Sequence, residues 1–79
     1  MNDDLMESCR FILEGLPECK DEVGLSDEEL ADYLKLLENL KPADVSKVLE
    51  VALKIQSSNI KDIDLKNKAS VLIRAMEEC

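Results

Sequence analysis

A chain of 79 residues has room for one domain with a thin hydrophobic core. Its apolar residues are mostly Leu, Ile, Val and Ala, with one Phe, one Tyr and no Trp, a composition that favours helices over strands. The 18 acidic and 10 basic residues give a net charge of −8, which disfavours direct binding to nucleic acid because phosphate contacts need Lys and Arg. The chain has no apolar run of the ~18 residues that would span a membrane, and charged residues interrupt its start where a signal peptide would be apolar.

The first predicted helix covers about residues 3–15. Its apolar residues recur with the spacing of one helical face, at Leu5, Cys9, Ile12, Leu13 and Leu16. Gly15 and Pro17 predict its end, because Gly tolerates the left-handed conformation after a helix and Pro cannot continue the hydrogen-bond ladder. Residues 17–25 are then a connection, in which one helical turn at 17–22 could end at Gly24.

The second predicted helix covers about residues 27–40. Ser26 followed by Glu29 is a capping box, in which each side chain bonds a free amide of the other residue. The apolar stripe that should face the core comprises Leu30, Tyr33, Leu34, Leu37 and Leu40.

Two further helices are predicted at about 42–56 and 63–77. Pro42 suits the first position of a helix and pushes Lys41 out of the helical conformation, and Asp62 or Asp64 can begin the last helix. The core stripes are Val45, Val48, Leu49, Ala52 and Ile55 on the third helix, and Leu65, Ala69, Leu72, Ile73 and Met76 on the fourth. These patterns predict an all-α fold, a compact bundle of four or five short helices whose packing is antiparallel or orthogonal.

The residues that usually carry chemistry are scarce. The chain has no His, which removes the commonest general base and metal ligand, so we expect no enzymatic activity, no cofactor and no metal site. A calcium loop beginning at Asp21 would place Val23 and Ser26 where an oxygen ligand and Gly are needed. Cys9, Cys19 and Cys79 are an odd number of thiols without an export signal, which predicts free thiols in an intracellular, reducing compartment. Cys79 should react quickly with a thiol reagent and Cys9 slowly.

Two surfaces could bind a partner. Helices 2 to 4 carry apolar residues beyond a single core stripe, which indicates either packing on two sides or an exposed groove. The candidate partner-binding residues are Tyr33, Leu36, Leu53 and Val71. The net charge lies entirely in residues 1–29, and this acidic face could either steer a basic partner or serve solubility. Its candidate residues are Glu18, Asp21, Glu22, Asp27 and Glu28.

Residues 31–76 resemble the helical N-terminal domain of the transcription elongation factor TFIIS and its relatives. The resemblance comprises the Leu-rich segment at residues 33–40, a helix that opens at Pro42, and the segment at residues 65–73. It implies a bundle that docks short disordered segments of other proteins. The basic stretch and the closing Trp-Lys of that family have no counterpart here. Residues 40–49 are also similar to a turn in stacked-helix domains of magnesium transporters and of the flagellar switch.

Two functions follow as hypotheses. The first is a protein-binding module or adaptor that uses an apolar groove of helices 2 to 4. The alternative is a viral or phage inhibitor whose acidic first third blocks a basic, nucleic-acid-binding surface of its target. In both cases the partner is another protein, and neither nucleic acid nor a membrane is contacted directly. A weak homodimer is also expected, because Leu36, Val51, Leu53, Val71 and Ala75 could together form an apolar patch.

Overall fold

A computed structural model describes residues 3–78, and in that range the chain forms four α-helices, one short 3₁₀ helix and no β-strand. The elements are α1 (Asp3–Val23), α2 (Asp27–Glu38), a 3₁₀ helix (Pro42–Asp44), α3 (Val45–Ser57) and α4 (Ile63–Glu77). The predicted all-α fold is therefore confirmed. Helix α1 packs against each of the other three, and α3 and α4 pack against each other.

The core is formed by α1, α3 and α4. Their buried side chains meet in one cluster, joined by Leu25 and Ile60 from the connections. The predicted stripe of α4 is confirmed for Leu65, Ala69, Leu72 and Ile73, and that of α3 for Val45, Val48, Ala52 and Ile55. Val51, which was expected beside the α3 stripe, is fully buried, so this residue belongs to the core.

The predicted end of the first helix at Gly15 is wrong, because α1 continues through Pro17 to Val23. The apolar face also continues: Leu16 and Cys19 are both buried, and Val23 packs against the same core. Burial of this second half offsets the backbone hydrogen bond that Pro17 removes. The helix ends instead at Gly24, whose φ of +83° is left-handed and whose N–H donates to the Lys20 carbonyl over 2.9 Å.

Gly15 has a packing role inside α1. A Cβ atom at this position would lie 3.0 Å from Cδ1 and 3.3 Å from Cδ2 of Leu65, which is fully buried in α4. The missing side chain therefore allows α4 to approach the backbone of α1 closely at this point.

The other helix starts follow the sequence. The Ser26 Oγ accepts the Glu29 N–H at 3.1 Å, and Glu29 Oε1 accepts the Ser26 N–H at 3.0 Å, which confirms the capping box. Lys41 is extended ahead of Pro42, as predicted, although the first turn is a 3₁₀ helix. Asp62 caps α4 by accepting the Leu65 N–H at 3.1 Å.

Replacing Pro17 with Ala tests the continuity of α1. Pro17 is exposed, so the change removes no core contact, and Ala restores the missing hydrogen bond inside the helix. We expect Pro17→Ala to raise the free energy of unfolding by about 1–3 kcal/mol in urea titrations followed by circular dichroism. Pro42→Ala is the control and should bring no such gain, because Pro42 occupies a helix start. Equal effects of the two substitutions would contradict an unbroken α1.

Gly24 should be sensitive to substitution for a backbone reason alone. A Cβ atom here would meet nothing within 4 Å, so only the left-handed conformation opposes a side chain. We expect Gly24→Ala to lower the free energy of unfolding by about 1–2 kcal/mol. Gly24→Asn should cost less, since Asn tolerates this conformation better. An unchanged urea midpoint for Gly24→Ala would show that α1 does not end in this way.

Candidate functional site

A cleft of about 310 Å³ lies between α2 and α3. One wall belongs to α2 and the other to α3, and the lining residues are Glu29, Asp32, Tyr33, Leu36, Lys47 and Glu50. The α2 residues recur at intervals of three, four and seven, which places them on one face of that helix. The cleft therefore combines two large apolar side chains with three carboxylates and one amine.

The predicted apolar stripe of α2 packs on the core at Leu30, Tyr33, Leu37 and Leu40, but its residues stay half-buried. None of the twelve residues of α2, all of which the structure describes, is buried. The half-buried apolar residues on α2 and just beyond its end are Leu30, Tyr33, Leu34, Leu36, Leu37 and Leu40. The reason is that α2 packs mainly against α1, so its apolar row covers the core from outside and remains partly open toward the cleft.

Glu29 closes one side of the cleft. Its Oε1 atom accepts the Ser26 amide, and its Oε2 atom lies 3.4 Å from the Lys54 Nζ on α3. Hydrogen bonds from Ser26, and then the charge of Lys54, lower the pKa of Glu29. This carboxylate is therefore ionised and already partnered, whereas Asp32 and Glu50 are exposed along the same cleft.

Tyr33 carries the only phenol of the chain. Partial burial raises its pKa, an effect that the charge of Lys54 partly opposes. The ring is thus half-buried and neutral near pH 7, with one side available to the cleft.

A second groove, of about 280 Å³, lies between α3 and α4. It is lined by Leu49, Leu53, Ile73, Met76 and Glu77. Leu53 is 49% exposed there. On α3, Leu49 and Leu53 are on the opposite flank of the buried stripe from Lys47 and Glu50. The two openings are therefore separate surfaces.

The four predicted partner-binding residues do not form one groove. Tyr33 and Leu36 share the α2–α3 cleft, Leu53 lies in the α3–α4 groove, and Val71, which is 55% exposed, lines neither. Tyr33 and Leu36 thus line one opening and Leu53 another, and a groove that helices 2 to 4 share stays a prediction. The expected homodimer stays a prediction, with Leu36 and Leu53 now on different surfaces.

Sequence reasoning missed Asp32, Lys47 and Glu50. The sequence pattern that could have indicated them is weak. Lys47, Glu50 and Lys54 recur at helical spacing on one side of α3, and Asp32 precedes Tyr33. Such spacing is equally typical of a solvated face. Only the packing of α2 beside α3 brings these residues together.

The predicted acidic face divides into structural and unengaged carboxylates. Glu22 accepts the Lys61 N–H at 3.0 Å and so ties α1 to the α3–α4 connection. Asp27 forms an ion pair with Lys20, which lowers the pKa of Asp27 and raises that of Lys20. Glu18, Asp21 and Glu28 are exposed, and among the described residues none of these three is in an ion pair.

Cys9 and Cys19 are both buried in α1 as free thiols. They are ten residues apart on one helix, about 15 Å along its axis, which is too far for a disulfide between them. Desolvation raises the pKa of Cys9 to about 11. For Cys19, desolvation and the charge of Glu22 raise the pKa. Cys79 lies outside the described residues.

Within residues 3–78 no group of three or more His, Cys, Asp or Glu side chains is arranged to hold a metal ion. The same range contains no helix that is both long and apolar enough to cross a membrane.

Comparisons with known proteins yield no relative. No protein-family model matches the chain. Neither the curated proteins nor the solved structures gave a significant match.

Cys9 should be nearly inert in the folded protein. A pKa raised from 9.0 to about 11 leaves about 100-fold less thiolate near pH 8. In a Cys19→Ala/Cys79→Ser background, we expect the native thiol to react with a disulfide reagent at least 100-fold more slowly than in denaturing urea. Similar rates in both conditions would contradict the packing of α1. In the wild type, an additional fast phase from Cys79 is expected.

Proposed function

We propose that this chain is a protein-binding module whose α2–α3 cleft receives a short segment of a partner protein. The occupant is a segment that places an apolar side chain beside a Lys or Arg. The observation that carries the proposal is the lining of the cleft, where Tyr33 and Leu36 stand among carboxylates.

The apolar part of the lining favours a side chain over a solvated ion. Tyr33 and Leu36 are half-buried on adjacent turns of α2, so an inserted apolar group would complete their burial. Each fully buried aliphatic side chain contributes about 1.5–3 kcal/mol, and such anchors dominate the affinity of peptide segments.

The charged part of the lining favours a basic neighbour for that side chain. Glu29 is already paired with Lys54, which leaves two exposed carboxylates, Asp32 and Glu50, and one amine, that of Lys47, in the cleft lining. The net charge of −8, which residues 1–29 carry, would speed the approach of cationic segments to the molecule.

A selection experiment tests the proposal. A random-peptide display library would be selected on the immobilised protein, and selected peptides would be mapped by amide chemical shifts. We expect sequences with an apolar residue next to Lys or Arg, and shift changes centred on Asp32, Leu36 and Glu50. Leu36→Ala should weaken their binding by about tenfold or more, whereas Leu53→Ala in the α3–α4 groove should leave it unchanged.

Charge substitutions test the basic component separately. Asp32→Asn/Glu50→Gln removes two exposed carboxylates from the cleft, and Glu14→Gln/Asp21→Asn removes two from the outer side of α1. Only the first pair should weaken the selected peptides beyond a small general effect of charge. No enrichment of peptides, or a consensus without Lys and Arg, would refute the proposal.

A second function is favoured by the continuity of α1. Because the helix runs past Pro17, Glu14, Glu18 and Asp21 lie exposed along one outer side of it. We propose as the alternative an inhibitor that presents this acidic side to the basic, nucleic-acid-binding surface of its target. That function predicts the opposite response to the two charge pairs, with loss of binding in Glu14→Gln/Asp21→Asn. It also predicts steep loss of binding as salt rises, because exposed charge contacts are screened.

A further inference from the structure

Helix α2 packs on the core of the described residues without placing a fully buried side chain in it. Sixteen hydrophobic side chains are buried, and they come from α1, α3, α4 and two connecting residues, Leu25 and Ile60. Helix α2 contributes none of them. Free energies of local opening follow the amount of buried apolar contact, and the apolar residues of α2 are only half-buried, whereas α1, α3 and α4 each hold fully buried ones.

The charged contacts of α2 with other helices lie at its first turn. Asp27 pairs with Lys20 of α1, and Glu29 pairs with Lys54 of α3. Both pairs are at the surface, where an ion pair contributes little and is screened by salt. Within the described range, no side-chain hydrogen bond or ion pair joins residues 30–38 to another element.

The cleft also limits the contact between α2 and α3. A space of about 310 Å³ separates the exposed edge of α2 from α3, so the row that includes Tyr33 and Leu36 packs mainly on α1. Twelve residues are also too few for a stable isolated helix in water. Separation from α1 would therefore melt α2.

We propose that α2 detaches and unfolds as a cooperative unit while α1, α3 and α4 stay folded. The Glu29–Lys54 ion pair joins α2 to α3 and so opposes this opening; we call this pair the latch. The device belongs to the fold itself and does not depend on which partner, if any, occupies the cleft. Opening removes one wall of the cleft, so it also controls whether the cleft exists.

Native-state hydrogen exchange on the full chain tests this proposal. We expect amides of residues 31–38 to be at least tenfold less protected than those of Val51, Leu72 and Ile73. Their opening should also depend less steeply on urea than global unfolding does, because it exposes less surface. Exchange of α2 with the same protection and urea dependence as α3 and α4 would overturn the proposal.

Tyrosine fluorescence supplies an independent reading, since Tyr33 is the only tyrosine and no tryptophan is present. We expect the emission of Tyr33 to change at a lower urea concentration than the circular dichroism at 222 nm, which reports total helix content. Coincident transitions would count against a separate α2 unit.

Lys54→Met tests the latch, because it keeps the apolar stem and removes the charge. It should increase the opening of α2 roughly two- to five-fold and leave the exchange of Leu72 and Ile73 unchanged. Lys47→Met is the matched control, since Lys47 is also an exposed lysine on α3 but lies outside both ion pairs. An equal increase in both variants would refute the role of the latch.

Discussion

The close contact between α1 and α4 is the constraint on which the other packing depends. Leu65 lies against the bare backbone of Gly15, at a distance that any side chain would disturb. This contact lets α1 bury Leu13 and Leu16 in the same cluster as the stripe of α4. Because α1 packs against each of the other three helices, its course decides where each of them can lie.

The length of α1 explains why α2 remains partly exposed. With buried residues from Ser8 to Cys19, α1 supplies enough apolar surface for α3 and α4 to close a core around it. Helix α2 then covers a remaining side of α1. The leucines of α2 contact other helices on one side only, so they stay half-buried. In a helix at the centre of the bundle they would be fully buried. The cleft beside α3 is the consequence of this position.

Local signals predicted where the helical turns begin, although α3 itself begins at Val45 after the 3₁₀ turn and α2 ends at Glu38 rather than near residue 40. The capping box at Ser26, Pro42 at a helix start and the Asp62 cap act within three or four residues, so the sequence suffices to recognise them. The end of α1 was different. Gly15 and Pro17 favour a stop locally, and the buried contacts of Leu16 and Cys19 outweigh them. Those contacts depend on distant helices and are invisible to local rules. Likewise, the periodicity of α2 showed that the helix is amphipathic, but it could not show how much of its apolar row the other helices would cover.

The loose attachment of α2 and the composition of the cleft have a joint thermodynamic consequence. Tyr33 and Leu36 belong to α2, while Lys47 and Glu50 belong to α3. A ligand that contacts both walls binds only the closed form, so its binding energy must add to the stability of α2. The reverse also holds. Any change that favours detachment of α2 lowers the apparent affinity of such a ligand in proportion to the decrease in the fraction of closed molecules. A helix that is secured by surface ion pairs and half-buried leucines is therefore suited to couple partner binding to its own folding.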